Sequence, residues 1–208
     1  MSDQIKDQIE EQIFHVRLNN QLSDSILNYF TMAVGLFFFG CFNADIVYKN
    51  NTVSLFYELI FIAGIAQILL TIFDWYKGRS LNLLSSFLFG LLFISWYYKY
   101  YKILANNMDY SDKKYEGVFY ILFLAISITM LISLKNKGII YSINYLALIV
   151  AFIFMIVDKY EDKNWIKKTF GYAFIVSGGL FWITGTLRII DGQFLNKTFL
   201  FTYFCPFN

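Results

Sequence analysis

The residues best able to do chemistry in this chain are polar side chains inside strongly apolar stretches. In the segment 63–75, AGIAQILLTIFDW, the residues Gly64, Gln67, Thr71 and Asp74 recur at spacings of three, four and three. On a helix this spacing puts all four on one narrow stripe. A polar group inside a bilayer is costly unless it is hydrogen-bonded or faces a cavity. The stripe therefore predicts a helix face that lines a path or bonds to another helix.

Comparable stripes occur in three other apolar segments, each polar at one end and aromatic or aliphatic farther in. They are Asn82, Ser86, Phe89 and Phe93; Asn144, Leu148 and Ala151; and Asn28, Thr31, Gly35, Phe37 and Gly40. This pattern is typical of a narrow path with a hydrophobic constriction. The same residue types also bond packed helices together without any transport role, so both interpretations stay open.

The ionisable residues favour few chemistries. Glu58 lies roughly opposite the Gln67 stripe, where it could relay protons, pair with another helix or reach the membrane interface. His15 is the only histidine, and the two cysteines are Cys41 and Cys205. These residues form no disulfide framework and no metal-ligand pattern. We therefore expect no metal, no cofactor and no enzymatic activity.

The composition predicts an integral membrane protein. Hydrophobic residues make up 58% of the 208 residues, charged residues make up 15%, and the mean hydropathy is +0.51. A soluble domain has about 25% charged residues. The net charge of +2 gives no indication of a nucleic-acid partner. We also expect no cleavable signal sequence, because the first 25 residues are polar.

A membrane-crossing helix needs about 20 mostly apolar residues. Six segments of residues 26–195 meet this need and predict an all-α bundle of six transmembrane helices: 26–47, 53–74, 81–101, 115–134, 139–157 and 169–190. An even number of spans puts both termini on one side, and the basic loops favour the cytoplasm. The polar tail 1–25 has apolar residues at helical spacing, which fits an amphipathic helix or a partly ordered tail. Residues 196–208 form the C-terminal tail.

Small and aromatic residues add two further expectations. Gly171, Gly178 and Gly185 recur every seven residues and predict a face where helices approach closely. Trp75, Trp96 and Trp165 stand near span ends, where interfacial aromatic residues are common.

The run FIAGIAQILLTIFDWYKG, residues 61–78, resembles the second-helix signature of the acetate uptake transporter family. The matching positions are Phe61, Gly64, Ile65, Ala66, Gln67, Asp74, Trp75, Lys77 and Gly78. The resemblance continues at Phe89-Gly90, resumes at GYAFIVSGG, 171–179, and at Asp191-Gly-Gln-Phe, and spans about 28 to 195. The chain departs from the family at NYFTMA, 28–33, which lacks both prolines of the family's Asn-Pro-Ala-Pro-Leu-Gly.

The resemblance implies a six-helix protomer in a homo-oligomeric ring, a hexamer, that carries small carboxylates such as acetate or succinate with proton symport. By register, the family's constriction falls on Phe37, Phe89 and Leu148. Phe89 stands where many family members have tyrosine.

Our interpretation is a transporter or channel for acetate and similar small carboxylates in the plasma membrane, coupled to protons. The predicted substrate path is Asn28, Thr31, Gln67, Thr71, Ser86 and Asn144, and the predicted proton-coupling carboxylates are Glu58 and Asp74. One alternative is a channel for ammonia or another small neutral solute. The other is a non-transporting scaffold or sensor that kept the fold, which predicts a path blocked by Tyr29 and Phe30.

Overall fold

A computed structural model describes residues 26–47, 52–76, 78, 80–106, 113–134, 139–161 and 163–194. The regular secondary structure in these ranges is helical. The helices are α1 Ile26–Asn43, α2 Thr52–Tyr76, α3 Ser80–Asn106, α4 Lys113–Leu134, α5 Ile139–Glu161 and α6 Asn164–Phe194. The predicted six-helix fold is confirmed. The predicted amphipathic segment within 1–25 and the tail 196–208 lie outside the described residues.

The helices have the length and the surface of membrane spans. By length and composition, α1, α2, α4, α5 and α6 are each apolar enough to cross a membrane. Helix α3 has 27 residues, which at 1.5 Å per residue extends about 40 Å and exceeds the ~30 Å hydrocarbon core. Outward-facing aliphatic side chains such as Leu55, Leu69, Val118 and Ile132 are 53% to 62% exposed. A belt of such residues suits lipid rather than water, and the chain is an integral membrane protein.

Helix α1 lies against α6 along the predicted glycine face. A Cβ atom built on Gly171 would lie 2.4 Å from the Ala44 nitrogen, and one built on Gly178 would lie 2.8 Å from the Phe37 nitrogen. One built on Gly185 would lie 3.3 Å from the Phe30 ring. The heptad of glycines is therefore confirmed as a packing face, and it meets α1 within the protomer.

Helices α2 and α3 approach closely through a second glycine pair. A Cβ atom on Gly64 would lie 3.0 Å from the Gly90 carbonyl oxygen, and a Cβ atom on Gly90 would lie 3.0 Å from the Gly64 carbonyl oxygen. Gly64 belongs to the run 61–78 that resembles the family signature, and Gly90 to the later match at Phe89-Gly90. Their small size brings the Gln67 stripe against the body of the bundle.

The middle of the bundle is filled by rings. Phe39 of α1 stacks on Trp96 of α3 with ring centroids 3.5 Å apart and planes 7° from parallel. Both rings meet Phe174 of α6, at centroid distances of 5.4 Å and 5.6 Å. Farther along the axis, Phe89 packs against Phe123 and Phe152. We call the buried residues Leu36, Phe39, Phe89, Phe93, Trp96, Phe123, Leu148, Phe152 and Phe174 the aromatic core.

The position of Trp96 corrects one prediction from the sequence. Trp75 and Trp165 are 70% and 60% exposed, which suits interfacial residues, but Trp96 is only 3% exposed. Helix α3 continues to Asn106, beyond the predicted end at residue 101. Trp96 therefore lies more than two turns before the helix end and points into the bundle.

Candidate functional site

Two polar regions lie at opposite ends of the bundle, with the aromatic core between them. One region, the polar end, is built where α1, α3 and α5 begin and α2 and α6 end. The other, the basic cavity, is built where α1, α3 and α5 end and α2, α4 and α6 begin. Each region gathers residues that are far apart in the chain.

Gln67 joins α2 to the start of α1 at the polar end. Its side chain is fully buried, and its Nε2 donates to the Thr31 hydroxyl at 2.6 Å and to the Asn28 carbonyl oxygen at 3.1 Å. The Thr31 hydroxyl donates in turn to the carbonyl oxygens of Leu27 and Asn28, both at 3.0 Å. The amide therefore ties the two helices together at the position where the family resemblance is most specific.

Asn144 makes the corresponding link between α5 and α6. Its Nδ2 donates to the Thr184 hydroxyl at 2.8 Å, and both side chains are fully buried. Thr184 stands one residue before Gly185 of the glycine heptad. The sequence stripe placed Asn144 inside the bundle, but nothing in the spacing indicated Thr184 as its partner.

Three buried amide oxygens at this end have no hydrogen-bond partner among the described residues. They are Asn28 Oδ1, Gln67 Oε1 and Asn144 Oδ1. A buried carbonyl oxygen normally accepts a hydrogen bond. These oxygens could accept from water or from the proton of a neutral carboxylic acid.

The other predicted polar residues of α2 and α3 are only partly connected to this network. The Thr71 hydroxyl donates to the Gln67 carbonyl oxygen on its own helix at 3.0 Å. The Ser86 hydroxyl donates to Asp74 Oδ2 at 3.4 Å, and both side chains are buried. Glu58, by contrast, is exposed near the start of α2, where its Oε1 accepts from the Ser54 hydroxyl at 3.2 Å. The structure thus separates the two carboxylates that the sequence proposed together for proton coupling.

Arg188 contacts two tyrosines at the polar end, Tyr29 and Tyr141. The sequence pattern did not predict this cluster. Its Nε donates to the Tyr141 hydroxyl at 2.6 Å, and Nη2 contacts the same oxygen. Its guanidinium carbon lies 5.6 Å from the Tyr29 ring centroid and 5.3 Å from that of Tyr141. Phe30 instead packs on the exposed Trp182 at 4.7 Å. Of the two residues that the scaffold hypothesis expected to block the path, only Tyr29 faces the network.

The predicted constriction is brought together only in part. Phe89 and Leu148 are fully buried in the aromatic core, but Phe37 is 40% exposed and packs on Phe38. The close contact of the Phe37 backbone with Gly178 sets the rotation of α1, and this rotation turns the Phe37 ring outward. Leu36, the neighbouring residue of α1, is fully buried and faces the same cluster. The role of Phe37 in a constriction stays a prediction.

The basic cavity has a volume of 360 Å³ and combines ring surfaces with ammonium groups. Its aromatic lining includes Phe39 and Trp96, so the stacked pair of the aromatic core forms part of its wall. Its charged lining residues are Lys99, Asp158, Lys159, Lys163 and Lys167. Glu116 and Glu161 pair with three of these lysines, so four lysines stand against three carboxylates and leave a small positive balance, which attracts anions.

Two lysines of the cavity share one carboxylate from α4. Glu116 Oε1 pairs with Lys99 of α3, and Oε2 lies 3.1 Å from the Nζ atom of Lys159 on α5. The Glu116 side chain is only 13% exposed. The convergence of Lys99, Glu116 and Lys159 could not be read from spacing, because they belong to three different helices.

No family model and no curated protein sequence matches this chain. Among solved structures, the bacterial acetate channel SatP matches with a TM-score of 0.73 and 15% sequence identity, over 82% of this chain and 93% of that chain. The two proteins share a fold. Within the described part of the chain, no three histidine, cysteine, aspartate or glutamate side chains group as metal ligands would.

Proposed function

We propose that this protein is a membrane channel or transporter for acetate and similar small monocarboxylates. The observation that carries the proposal is the basic, aromatic-lined cavity at one end of the aromatic core. The fold shared with an acetate channel and the residues 61–78 support the same substrate class.

The cavity has the features that a small carboxylate needs on entry. Its ammonium groups raise the local concentration of anions, and its rings offer apolar surface to a methyl group. A bare carboxylate in an apolar medium costs many kcal/mol, so it must meet donors or cross protonated. The lysines supply donors at one end, and Thr31 and Gln67 lie at the other.

Between these ends, the aromatic core acts as the gate of the proposed path. Leu36, Phe89 and Leu148 form its apolar constriction, and the Phe39–Trp96 stack closes it toward the basic cavity. An apolar constriction lets a small, partly dehydrated acid pass and resists a hydrated ion. The burial of the gate in the same bundle that holds both polar regions supports a path through each protomer.

The wider proposal keeps the expectations from the resemblance. Asn28, Thr71, Ser86 and Asn144 belong to or flank the path at the polar end. The burial of Asp74 supports it, rather than the exposed Glu58, as the proton-coupling carboxylate. The proposal also includes assembly as a homo-oligomeric ring, a hexamer. It places the protein in the plasma membrane with both termini in the cytoplasm.

Uptake of radiolabelled acetate into proteoliposomes tests the function. We expect uptake when the external medium is acidic and counterflow with unlabelled acetate but not with methylammonium. The absence of acetate uptake would refute the proposal, and counterflow with methylammonium would favour a channel for neutral ammonia.

Two adjacent lysines provide a matched pair for the cavity. Lys167 lines the cavity with its Nζ 5.9 Å from the Phe42 ring centroid, whereas Lys168 is half exposed and lies 3.7 Å from Asp45. At low ionic strength Lys167→Gln should lower acetate uptake several-fold and Lys168→Gln should leave it near the wild-type rate, because only the first charge faces the entering anion. Equal uptake by the two variants would contradict the role of the cavity.

A further inference from the structure

Glu116 is arranged as a small carboxylate ligand would be. One of its oxygens pairs with Lys99 and the other with Lys159, at 3.1 Å in the second case. The side chains of Glu116, Lys99 and Lys159 are 13%, 36% and 16% exposed. Both lysines line the basic cavity. Two ammonium groups are therefore held at the spacing of a single carboxylate, one for each oxygen.

Further charged and aromatic groups surround this pair of lysines. Asp158 Oδ2 lies 3.8 Å from the Lys159 Nζ atom, which also lies 5.9 Å from the Tyr120 ring centroid. Two further lysines line the cavity: Lys163, which directly precedes α6 and pairs with Glu161 at 2.6 Å, and Lys167 of α6. A carboxylate that arrives from solution meets the same two ammonium groups that Glu116 occupies.

We propose that Lys99 and Lys159 form the carboxylate-binding site of the basic cavity, and that Glu116 is a resident competitor that occupies this site between binding events. An entering carboxylate takes over one or both ammonium groups, and Glu116 returns when the substrate leaves. The identity of the substrate as acetate rests on the proposed function; the exchange itself rests on the ion-pair geometry.

The exchange has a physical advantage for conduction. Throughout the exchange, each ammonium group keeps a carboxylate beside it. An unpaired charge in a partly buried position would be costly. The net gain on binding is small, because one carboxylate replaces another and the displaced Glu116, only 13% exposed, loses its counter-charges. A conducting site needs binding that is favourable enough for entry and weak enough for release, and a built-in competitor provides both.

The test compares acetate binding by variants of the purified full-length protein in detergent. Isothermal titration with sodium acetate, at an ionic strength held constant with sodium chloride, gives the dissociation constant. Glu116→Gln should bind acetate about tenfold more tightly, which is ~1.4 kcal/mol, because the competitor has lost its charge. Lys99→Gln and Lys159→Gln should each bind it about tenfold more weakly.

Asp45→Asn is the matched control for charge. Asp45 lies at the same end of the bundle, is half exposed, and pairs with Lys168, which does not line the cavity. Its backbone φ of 56° is one that asparagine also adopts readily. This variant removes the same negative charge and should leave the dissociation constant of acetate unchanged.

A second carboxylate variant separates competition from general damage. Glu116→Asp keeps the charge, but its side chain is one methylene shorter and reaches only one of the two lysines. Its acetate affinity should lie between those of the wild type and Glu116→Gln. A purely structural role of Glu116 predicts the opposite, with lower affinity and a lower unfolding temperature in both variants.

The outcomes distinguish this inference from the proposed function. Unchanged or weaker acetate binding by Glu116→Gln would overturn the competitor role. Equally tighter acetate binding by Asp45→Asn would also overturn the competitor role. Tighter binding by Glu116→Gln together with no acetate flux through the wild type would uphold the binding site and refute transport. In transporting liposomes, the tighter variant should saturate at lower acetate concentration and reach a lower maximal rate, because release is slowed.

Discussion

The close contact of α1 with α6 at Gly178 should make the smallest side-chain addition there destabilising. A Cβ atom on Gly178 would lie 2.8 Å from the Phe37 nitrogen and 3.0 Å from both the Ala33 carbonyl oxygen and the Phe37 Cα atom. These neighbours are backbone atoms, which cannot rotate away as a side chain can. Gly179 is the adjacent residue on the same helix, and a Cβ atom there meets nothing within 4 Å.

The two substitutions Gly178→Ala and Gly179→Ala therefore share one favourable effect and differ in another. Both gain about 1 kcal/mol of helix propensity, since alanine replaces glycine in a helix interior. Only Gly178→Ala pushes α1 away from α6, and overpacking of this kind costs about 1–3 kcal/mol. We expect Gly179→Ala to match or exceed the wild-type stability and Gly178→Ala to be less stable than Gly179→Ala by about 1–3 kcal/mol.

Reversible unfolding in mixed micelles, with a rising fraction of sodium dodecyl sulfate and the helical circular dichroism signal as readout, measures this difference. Leucine at the same two positions provides a stronger version of the pair. Equal unfolding midpoints for Gly178→Ala and Gly179→Ala would refute the argument that backbone contact with α1 sets the cost.

Three further predictions concern the network and the gate. Gln67→Leu removes the amide that donates to Thr31. We expect the free energy of unfolding to fall by about 1–2 kcal/mol in the same assay and acetate flux to fall as well. A stable variant with wild-type flux would limit Gln67 to helix packing. Leu148→Ala should widen the constriction and admit larger acids such as lactate in competition assays, and an unchanged substrate range would contradict its role as a gate. Thr184→Val removes the acceptor of Asn144, and a double-mutant cycle with Asn144→Leu should show a coupling of about 0.6–1.7 kcal/mol, whereas strictly additive effects would argue against the bond.

The polar stripes show how far spacing can predict burial. Gln67, Asp74, Ser86 and Asn144 are all buried, as the spacing on their helices indicated. A helical period assigns residues to a common face, and membrane energetics assigns a polar face to the inside. Their functional roles remain predictions, because burial alone does not distinguish a path from a packing contact.

Phe37 and Trp96 lie in surroundings that spacing along the chain did not indicate. Phe37 lies one position away from the buried Leu36, and a shift of about 100° in helix rotation separates core from lipid. That rotation depends on the contact between Gly178 and α1, which belongs to another part of the chain. Trp96 has a residue type common at interfaces, but the extra length of α3 carries it into the core.

The sequence by itself determined that this is a six-helix membrane protein and that polar residues such as Gln67, Ser86 and Asn144 turn inward, because hydropathy and helical period are properties of single segments. Only the tertiary structure decided that Lys99, Glu116 and Lys159 meet beside one cavity and that Arg188 rests on Tyr29 and Tyr141. Such contacts join residues of different helices, and they depend on how far each helix is rotated and shifted against its neighbours. Gly171 and Gly178 show one such dependence, because their backbone contacts fix how closely α1 lies against α6.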